Sequence, residues 1–329
     1  MGGRPINLYF VLLPGSLILD WAGPAEAFRI ANQLLAARGE PARFELRFVG
    51  PLPAPKTSVG IGVAGVAPLP SSLPNPSWVV LVGMPGRQFD PLQAGAPETI
   101  RWLRGLTPGR DGMRLITVCA GALLAAHAGL LRGRRVTTHH QHLDELRALD
   151  SGCEVVANRV FVLDDPVASS AGITTGIDLA LHLIAQECGG PVASQAAQAM
   201  VVALRRGTQD PELSPFLAHR NHMHAALHRV QDAVSAQPQA GWSVPRMAEV
   251  AHTSPRHLTR LFLDHAGTAP LAYLRQIRLA VARAALESGR SVGQAAELAG
   301  FSSDTQLRRT WRQFGMAGRP SDAGLLPNQ

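Results

Sequence analysis

Two different spacings of hydrophobic residues divide the chain. Up to about residue 205, short apolar runs alternate with segments of helical periodicity. The predicted strands are Ile6–Leu12, Phe44–Val49, Trp78–Val82 and Leu115–Val118, and the predicted helices include Ala25–Ala37, Thr99–Leu106 and Ile177–Gln186. Nearly continuous apolar strands separated by helices are typical of a parallel sheet covered on both faces, which predicts a doubly wound α/β sandwich. Its binding crevice is expected at the carboxyl ends of the strands.

From Asn221 onward the periodicity predicts only helices. One helix covers Ala225–Ala236, and a long one runs from about Pro270 to Ser288. Serine is a favoured residue immediately before a helix, and four serines are predicted to begin further helices: Ser243, Ser254, Ser291 and Ser303. The stretch 207–217, "GTQDPELSPFL", carries two prolines and little apolar periodicity, as a linker does. The predicted organisation is a domain over residues 1–206, a linker over 207–219 and a second domain over 220–329.

Two segments of the second domain predict the same arrangement of a short helix, a tight turn and a second helix bearing arginines. They are Val244–His265 and Val292–Phe314. In the first, Leu258, Leu261 and Phe262 share one face of the second helix. The opposite face carries Arg256, Thr259 and Arg260. A recognition helix of this kind enters the major groove of DNA with its N-terminal end.

The second segment repeats this division between an apolar and a polar face. Leu307, Trp311 and Phe314 form the apolar stripe, and the residues that point away are Asp304, Thr305, Arg308 and Arg309. The connecting helix, roughly nineteen residues at roughly 1.5 Å each, spans about 28 Å. That length approaches the roughly 34 Å between major-groove faces one turn apart, so one protomer can read two successive turns. The alternative is a small helical bundle with solvated arginines.

Charge, cysteine content and hydropathy narrow the class of protein. Residues 218–329 hold 13 Arg, no Lys and 7 Asp or Glu, so most of the formal net charge of +7 lies in the C-terminal third. This placement fits a polyanionic partner. Three scattered cysteines without a CxxC pair indicate a reduced, cytoplasmic compartment rather than a disulfide framework. No uninterrupted apolar window is long enough to span a membrane.

The C-terminal domain resembles the AraC/XylS DNA-binding domain. The segments "SPRHLTRLF" and "AGFSSDTQLRRTWRQFG" fit the two recognition-helix motifs of that family, over roughly residues 221–315. The resemblance implies that base-facing positions fall on Arg256, Thr259, Arg260, Asp304, Thr305, Arg308 and Arg309. It also implies that double-stranded promoter DNA is a partner.

The segment "LITVCAGALLAAHAG" runs from a strand into a helix, with Cys119 at the junction and Gly121 two residues later. This is the arrangement of a nucleophile elbow, in which a sharp turn exposes a side chain above the sheet. Together with "LDWAGPAEAF", "GMPG" and "SSAGITTGIDLAL", it resembles the ThiJ/PfpI, or class I glutamine amidotransferase-like, domain, which has a flavodoxin-like fold. In the regulator branch typified by GlxA, such a domain precedes an AraC-type DNA-binding domain. The residues that the resemblance places at a ligand site are Asp20, Gly83, Met84, Cys119, Ala120 and His139.

Three roles for the elbow thiol follow from the sequence. Hydrolytic relatives carry a histidine directly after the cysteine, but Ala120 stands there, which favours effector binding over catalysis. The alternatives are an active hydratase or amidase and a redox-sensing thiol. The histidines at 139, 140 and 142 and at 219, 222, 224 and 228 lack a complete set of ligands nearby, so neither a metal nor a cofactor is predicted.

These observations predict a ligand-responsive transcriptional regulator that is not an enzyme. The N-terminal domain is expected to bind a small effector, for which the resemblance suggests a nitrogenous metabolite, and to form a homodimer. The C-terminal domain is expected to bind promoter DNA and to act on RNA polymerase, with activation as the more usual output. The alternative is a ThiJ/PfpI-type enzyme fused to a DNA-binding module.

Overall fold

The computed structural model describes residues 4–202, 207–208, 218–220, 222–287, 289–316 and 318–322. The chain divides into two compact units between residues 212 and 213. The linker predicted over residues 207–219 lies largely outside the described residues and stays a prediction. No described helix is long and apolar enough to cross a membrane.

The N-terminal unit is built on a seven-stranded sheet. The strands are β1 (Ile6–Val11), β2 (Phe44–Gly50), β3 (Ala67–Pro68), β4 (Ser77–Leu81), β5 (Arg114–Val118), β8 (Phe161–Asp164) and β9 (Val167–Ser170), in the order β3-β2-β1-β4-β5-β9-β8. Strands β8 and β9 pair antiparallel, and the other neighbouring strands of this sheet pair parallel. Strands β6 (Arg135–Val136) and β7 (Glu154–Val155) form a separate pair. Every residue of β1 and β4 is buried, because helices cover both faces, as in a doubly wound sandwich.

Six α-helices among the described residues complete this unit. They are α1 (Ile18–Ala36), α2 (Ala96–Leu103), α3 (Gly121–His127), α4 (Leu143–Leu149), α5 (Thr175–Cys188) and α6 (Gly190–Ala199). Helices α1, α5 and α6 pack against one another, and α3 packs against α2 and α4. Gly23 permits the close approach of α1 and α5, since a Cβ there would lie 2.8 Å from the Ile177 side chain.

The predicted fold class is correct, and each of the four predicted strands is present within one residue at either end. The helix predicted from Ala25 begins earlier, at Ile18, because Pro24 lies inside the helix and does not start it. Asp20 therefore lies in the first turn of α1 and not in a loop. The helix predicted over Thr99–Leu106 occupies Ala96–Leu103 and begins directly after Gly95, which has a φ of 83°.

The C-terminal unit is entirely helical in its described residues. Its helices are α7 (Ala225–Ala236), α8 (Val244–Val250), α9 (Pro255–Ala266), α10 (Pro270–Glu287), α11 (Val292–Leu298) and α12 (Asp304–Gln313). The four predicted serine caps are all present. The side-chain oxygens of Ser243, Ser254, Ser291 and Ser303 each accept a hydrogen bond from the backbone N–H three residues later.

Two separate apolar cores lie along the connecting helix α10. Tyr273, Leu274 and Ile277 belong to the core of the first helix-turn-helix, with residues of α7, α8 and α9. Leu279 and Leu286, further along α10, belong to the core of the second, with residues of α11 and α12. The eighteen residues of α10 span about 27 Å. One rigid helix therefore joins two independently packed helix-turn-helix units.

Candidate functional site

A strained turn lies between β5 and α3, with Cys119 at its apex. The backbone φ of Cys119 is 56°, in the left-handed region that side chains other than glycine rarely adopt. A Cβ at Gly121 would lie 2.3 Å from the Leu81 carbonyl oxygen, so only glycine permits α3 to start this close to β4. These two features form the nucleophile elbow that the sequence predicts.

Three neighbouring residues, Ser170, Thr138 and Gly172, surround this turn. The Cys119 N–H donates to the Ser170 carbonyl at 3.0 Å, and the Thr138 hydroxyl donates to the Cys119 carbonyl at 2.8 Å. Gly172 has a φ of 96°, and a Cβ there would lie 2.2 Å from the Cys119 Cβ and 2.8 Å from Sγ. The thiol is therefore enclosed by backbone that leaves no space for a further methyl group.

Asp20 connects this turn to two other loops. Its Oδ2 accepts from the Gly83 N–H at 2.9 Å and its Oδ1 accepts from the Ile173 N–H at 2.7 Å. Burial raises the pKa of Asp20, and the two backbone N–H groups and a hydrogen bond with Cys119 oppose that rise. Ile173 has a φ of 53°, which is unfavourable for a β-branched residue. A single buried carboxyl group therefore ties α1, the loop after β4 and the loop before α5 to the thiol.

The structure brings four of the six predicted ligand-site residues into contact. A Cβ at Gly83 would lie 2.7 Å from the Asp20 Oδ2, 2.8 Å from the Cys119 Cβ and 3.0 Å from the Ala120 N. Met84 is buried next to Gly83, and its sulfur accepts a hydrogen bond from the Gln93 side chain at 2.9 Å. The segment "SSAGITTGIDLAL" contains Gly172 and Ile173, but its pattern does not single them out as site residues, because each is defined by a backbone angle and by a neighbour distant in the chain.

His139 is the sixth predicted residue, and it follows Thr138 directly. Its ring centroid lies 4.2 Å from that of His140 and 6.3 Å from that of His142. Burial, and then the two neighbouring imidazoles, lower the pKa of His139 to about 4. The ring is therefore neutral near neutral pH. His142 is buried, and its Nδ1 lies 2.8 Å from the Glu145 Oε2.

The elbow is closed to solvent. Cys119 is 4% exposed and Asp20 is not exposed at all. Two large apolar residues that neighbour the site in sequence, Leu19 and Ile173, are exposed. A cavity of about 240 Å³ lies instead at the amino ends of the strands, where Arg43 and Arg114 line it. The guanidinium groups there are ion-paired with Glu187 and Asp165, and the elbow residues do not line it.

Two further thiols, Cys153 and Cys188, and a group of histidines in the C-terminal unit are the other candidate reactive or metal-binding groups. Burial raises the pKa of Cys188 to about 11, and burial and Asp150 raise the pKa of Cys153, so both favour the thiol form. In the C-terminal unit the imidazole of His265 lies close to those of His222 and His224, with ring centroids 6.5 and 5.1 Å away. Among the described residues, no three or more His, Cys, Asp or Glu side chains are arranged to hold a metal ion.

The second helix of the first helix-turn-helix unit, α9, has the two faces that the sequence predicts. Leu258, Leu261 and Phe262 are buried. Arg256 and Arg260 are exposed, and Thr259 is half-buried with its hydroxyl donating to the Pro255 carbonyl at 2.9 Å. The Arg260 guanidinium lies 3.0 Å from the His257 Nδ1 on the same helix. Two guanidinium groups therefore project from the N-terminal half of α9.

Helix α12 repeats this arrangement. Leu307 and Trp311 are buried and Phe314 is half-buried against the same core. Asp304, Thr305 and Arg309 are exposed, and Arg308 is half-buried with its Nε 3.9 Å from the Asp304 Oδ2. This long ion pair on an exposed helix face holds Arg308 only weakly.

The turns of the two helix-turn-helix units share one hydrogen-bond pattern. The N–H groups of Ala251 and Thr253 donate to Met247 and Ala248, and those of Ala299 and Phe301 donate to Ala295 and Ala296 in the same pattern. The residue between each pair has a left-handed backbone, with φ of 54° at His252 and 77° at Gly300. Only Ser302 is extra in the second turn.

Comparisons with known proteins agree with both halves of this description. A family model described as a helix-turn-helix domain matches residues 247–317, from the middle of α8 to beyond the end of α12. The model of the DJ-1/PfpI family matches residues 79–186, which include the elbow. Neither match overlaps the other, and each falls within one of the two compact units.

Two relatives are similar over nearly the whole chain. The HTH-type transcriptional regulator CdhR of Pseudomonas aeruginosa is 29% identical over 98% of this chain and 92% of its own length. The HTH-type transcriptional regulator GlxA of Rhizobium meliloti is 29% identical over 93% of this chain and 91% of its own. A crystal structure of a ThiJ/PfpI family protein from Pseudomonas syringae has a TM-score of 0.52 at 17% identity and covers 76% of this chain and 90% of its own. At that identity the structural likeness concerns the fold alone.

Proposed function

We propose that this chain is an effector-controlled member of the HTH-type transcriptional regulators that join a DJ-1/PfpI domain to an AraC-type DNA-binding domain. It is a DNA-binding transcriptional regulator. The observation that carries this function is the pair of matching helix-turn-helix units joined by α10. Two such units on one rigid helix suit two successive major grooves.

We assign base reading to the exposed faces of α9 and α12, that is, to Arg256, Thr259, Arg260, Asp304, Thr305, Arg308 and Arg309. Arginine forks onto guanine O6 and N7 in the major groove. The arginines among these residues have free hydrogen-bond donors, since their contacts are with one imidazole and one distant carboxylate. Ser254 and Ser303 fix the start of each reading helix and therefore the position of these side chains.

We assign effector binding to the elbow of the N-terminal unit, at Asp20, Gly83, Met84, Cys119, Ala120 and His139. The Asp20 carboxyl already accepts two backbone N–H groups and contacts the thiol. Because Asp20 and Cys119 are buried, an effector that reaches them must move the surrounding backbone, which includes the loop at Gly83 and the loop at Ile173. An effector controls DNA binding only if it binds two arrangements of the protein unequally, and these loops provide the element that can differ.

The remaining parts of the proposal concern partners. The N-terminal unit is the proposed homodimerisation domain, promoter DNA and RNA polymerase are the proposed macromolecular partners, and the cytoplasm is the proposed location. A nitrogenous metabolite is the proposed class of effector, and activation is the proposed output. The neutral imidazole of His139 near neutral pH supports an uncharged or hydrogen-bonding contact at that side of the site rather than anion capture.

The direct test of DNA binding selects duplexes from fragments of the source genome with the purified full-length chain. Bound fragments are sequenced, and affinity for the enriched duplex is measured by fluorescence anisotropy at increasing salt. We expect a recurrent sequence with two half-sites about one helical turn apart and a steep loss of affinity with salt, because neutralised phosphates release counterions. Absence of an enriched sequence together with a flat salt response would reject the function.

The variant Cys119→Ala separates effector binding from catalysis. We expect the variant to keep the DNA affinity of the wild type and to change only the shift in melting temperature that nitrogenous metabolites cause in a ligand screen. Neither protein should release product from a metabolite that binds. Repeated turnover by the wild type that the variant lacks would instead establish the hydratase or amidase alternative.

A further inference from the structure

The first helix of each helix-turn-helix unit begins beside an exposed arginine, and the two arginines come from different positions of the repeat. Arg246 lies in the first turn of α8, three residues after the cap Ser243. Arg290 immediately precedes Ser291, the cap of α11. The position that matches Arg290 in the first unit is Trp242. Each helix-turn-helix unit therefore has an exposed arginine next to the start of its first helix, at a different position of the repeat.

Arg246 does not contribute to the cap of its helix. At the matching position of the second unit, the Gln294 side chain accepts a hydrogen bond from the Ser291 N–H at 3.0 Å and completes a capping box. Arginine has no acceptor, so it cannot make this bond. Positive charge in the first turn of a helix is also unfavourable to the helix dipole. The stability of α8 therefore gives no reason for an arginine here.

The guanidinium of Arg246 is held in place while it remains exposed. Its Cζ lies 5.0 Å from the ring centroid of Trp242, and its Nη1 donates to the Gly241 carbonyl at 3.3 Å. Trp242 itself is fixed, because its Nε1 donates to the Gln237 carbonyl at 2.7 Å and its ring packs on the first core. Among the described residues Arg246 forms no ion pair. The Arg246 guanidinium is therefore a fixed, exposed cation without an anionic partner among the described residues, as a binding site for an external anion requires.

Arg290 differs from Arg246 in that only its backbone is fixed. Its N–H donates to the Ala285 carbonyl at 3.0 Å, which fixes the turn between α10 and α11, and Gly289 before it has a φ of 84°. The residue is exposed and, within the described part of the chain, forms no ion pair. Each helix-turn-helix unit therefore has one exposed arginine without an ion pair next to its first helix, which is α8 or α11.

We propose that Arg246 and Arg290 are a matched pair of contacts to the DNA backbone phosphates, one for each half-site. In helix-turn-helix proteins the second helix lies in the major groove while the first crosses the sugar-phosphate backbone. Cations next to the first helix therefore meet phosphate and not base edges. Phosphate contacts set the register and orientation of the protein but carry no base information. This inference rests on the proposed DNA-binding function and adds the residues that position each reading helix.

The test uses full-length Arg246→Gln, Arg290→Gln and the double variant, with the selected duplex and a scrambled duplex of equal length. We expect each single variant to reduce the slope of log affinity against log salt by about 0.9, and the double variant to reduce it by about twice that amount. The loss of affinity should be equal on both duplexes. Arg246→Gln also allows the capping box seen at Gln294. The melting temperature of each variant checks whether a loss of affinity comes from unfolding.

The matched control is Arg38→Gln, which removes one exposed positive charge from the N-terminal unit and should leave the slope unchanged. An unchanged slope in both single variants, beside a steep slope in the wild type, overturns the phosphate assignment and leaves the DNA-binding function intact. A loss confined to the selected duplex also overturns it, because the two arginines are then base readers. A flat slope in the wild type contradicts the DNA-binding function itself.

Discussion

The polar groups of the elbow are buried, whereas those of the reading helices α9 and α12 are mostly exposed. At the elbow, Asp20 is buried and its oxygens already accept hydrogen bonds from the backbone of two loops. On α9 and α12, guanidinium groups project into solvent with weak contacts or none. The first site is saturated from within the chain, whereas the second is left unsaturated.

This difference indicates how each region can respond. A saturated, buried site changes only when a ligand replaces an internal contact, so binding there is coupled to the shape of the loops. Exposed guanidinium groups bind without such an exchange, and their positions depend only on the helices that carry them. The elbow is therefore suited to regulation and the reading helices to recognition. Substitutions should disturb the elbow through packing and the reading helices through lost contacts.

The variant Gly172→Ala should have the largest effect on stability. A methyl group there would lie 2.2 Å from the Cys119 Cβ, and the φ of 96° is unfavourable for alanine. We expect a loss of about 3 kcal/mol in the free energy of unfolding of the N-terminal unit, from the combined strain and clash. Urea unfolding of the full chain, with hydrogen exchange to separate the two units, measures it.

Gly190→Ala is the matched control, since a methyl group there has no atom within 4 Å. It should change the unfolding free energy far less than Gly172→Ala. Equal effects of the two substitutions would show that the backbone around Cys119 is not tightly enclosed, and the contrast between a saturated elbow and open reading helices would lose its basis.

The sequence predicted those features that depend on local pattern. The strands β1, β4 and β5 follow from apolar runs and β2 follows from alternating apolar residues. The four serine caps follow from residue type. The apolar stripe of α9 follows from helical spacing, as does its exposed arginine face. In each case neighbours within a few residues decide the structure.

Features that depend on distant neighbours were missed. The antiparallel edge strand β8 and the helix α6 have weak local signals, and α1, which contains Pro24, packs against α5 and α6. Ile173 and Gly172 owe their importance to a carboxyl group and a thiol far away in the chain. The closure of the elbow also required the complete packing, since residue types at the site predicted only polar groups near a crevice.

The variant Arg260→Ala tests the reading helices and should have an intermediate effect. We expect a loss of about 1–3 kcal/mol in the binding free energy for the selected duplex, with relaxed specificity at one base position. Stability should stay near that of the wild type, because the side chain is exposed and contacts only His257 on its own helix. Anisotropy titrations against duplexes altered one base pair at a time measure this. A uniform loss across all these duplexes would assign Arg260 to a phosphate instead.

The smallest expected effect is the change with pH of the difference in unfolding free energy between the wild type and Asp20→Asn. This difference tests the elbow side of the comparison directly. Burial raises the pKa of Asp20 in the folded chain, so the folded state holds this proton more tightly than the unfolded state does. The contribution of Asp20 to stability is therefore greatest at low pH and is lost as the pH rises from the usual aspartate range through the raised pKa. Asparagine does not titrate, so the unfolding free energy of the wild type minus that of the variant should decline over this interval and then level off. Urea unfolding at a series of pH values measures the difference, and a difference that rises with pH would mean that the backbone N–H groups of Gly83 and Ile173 outweigh burial at this carboxyl group.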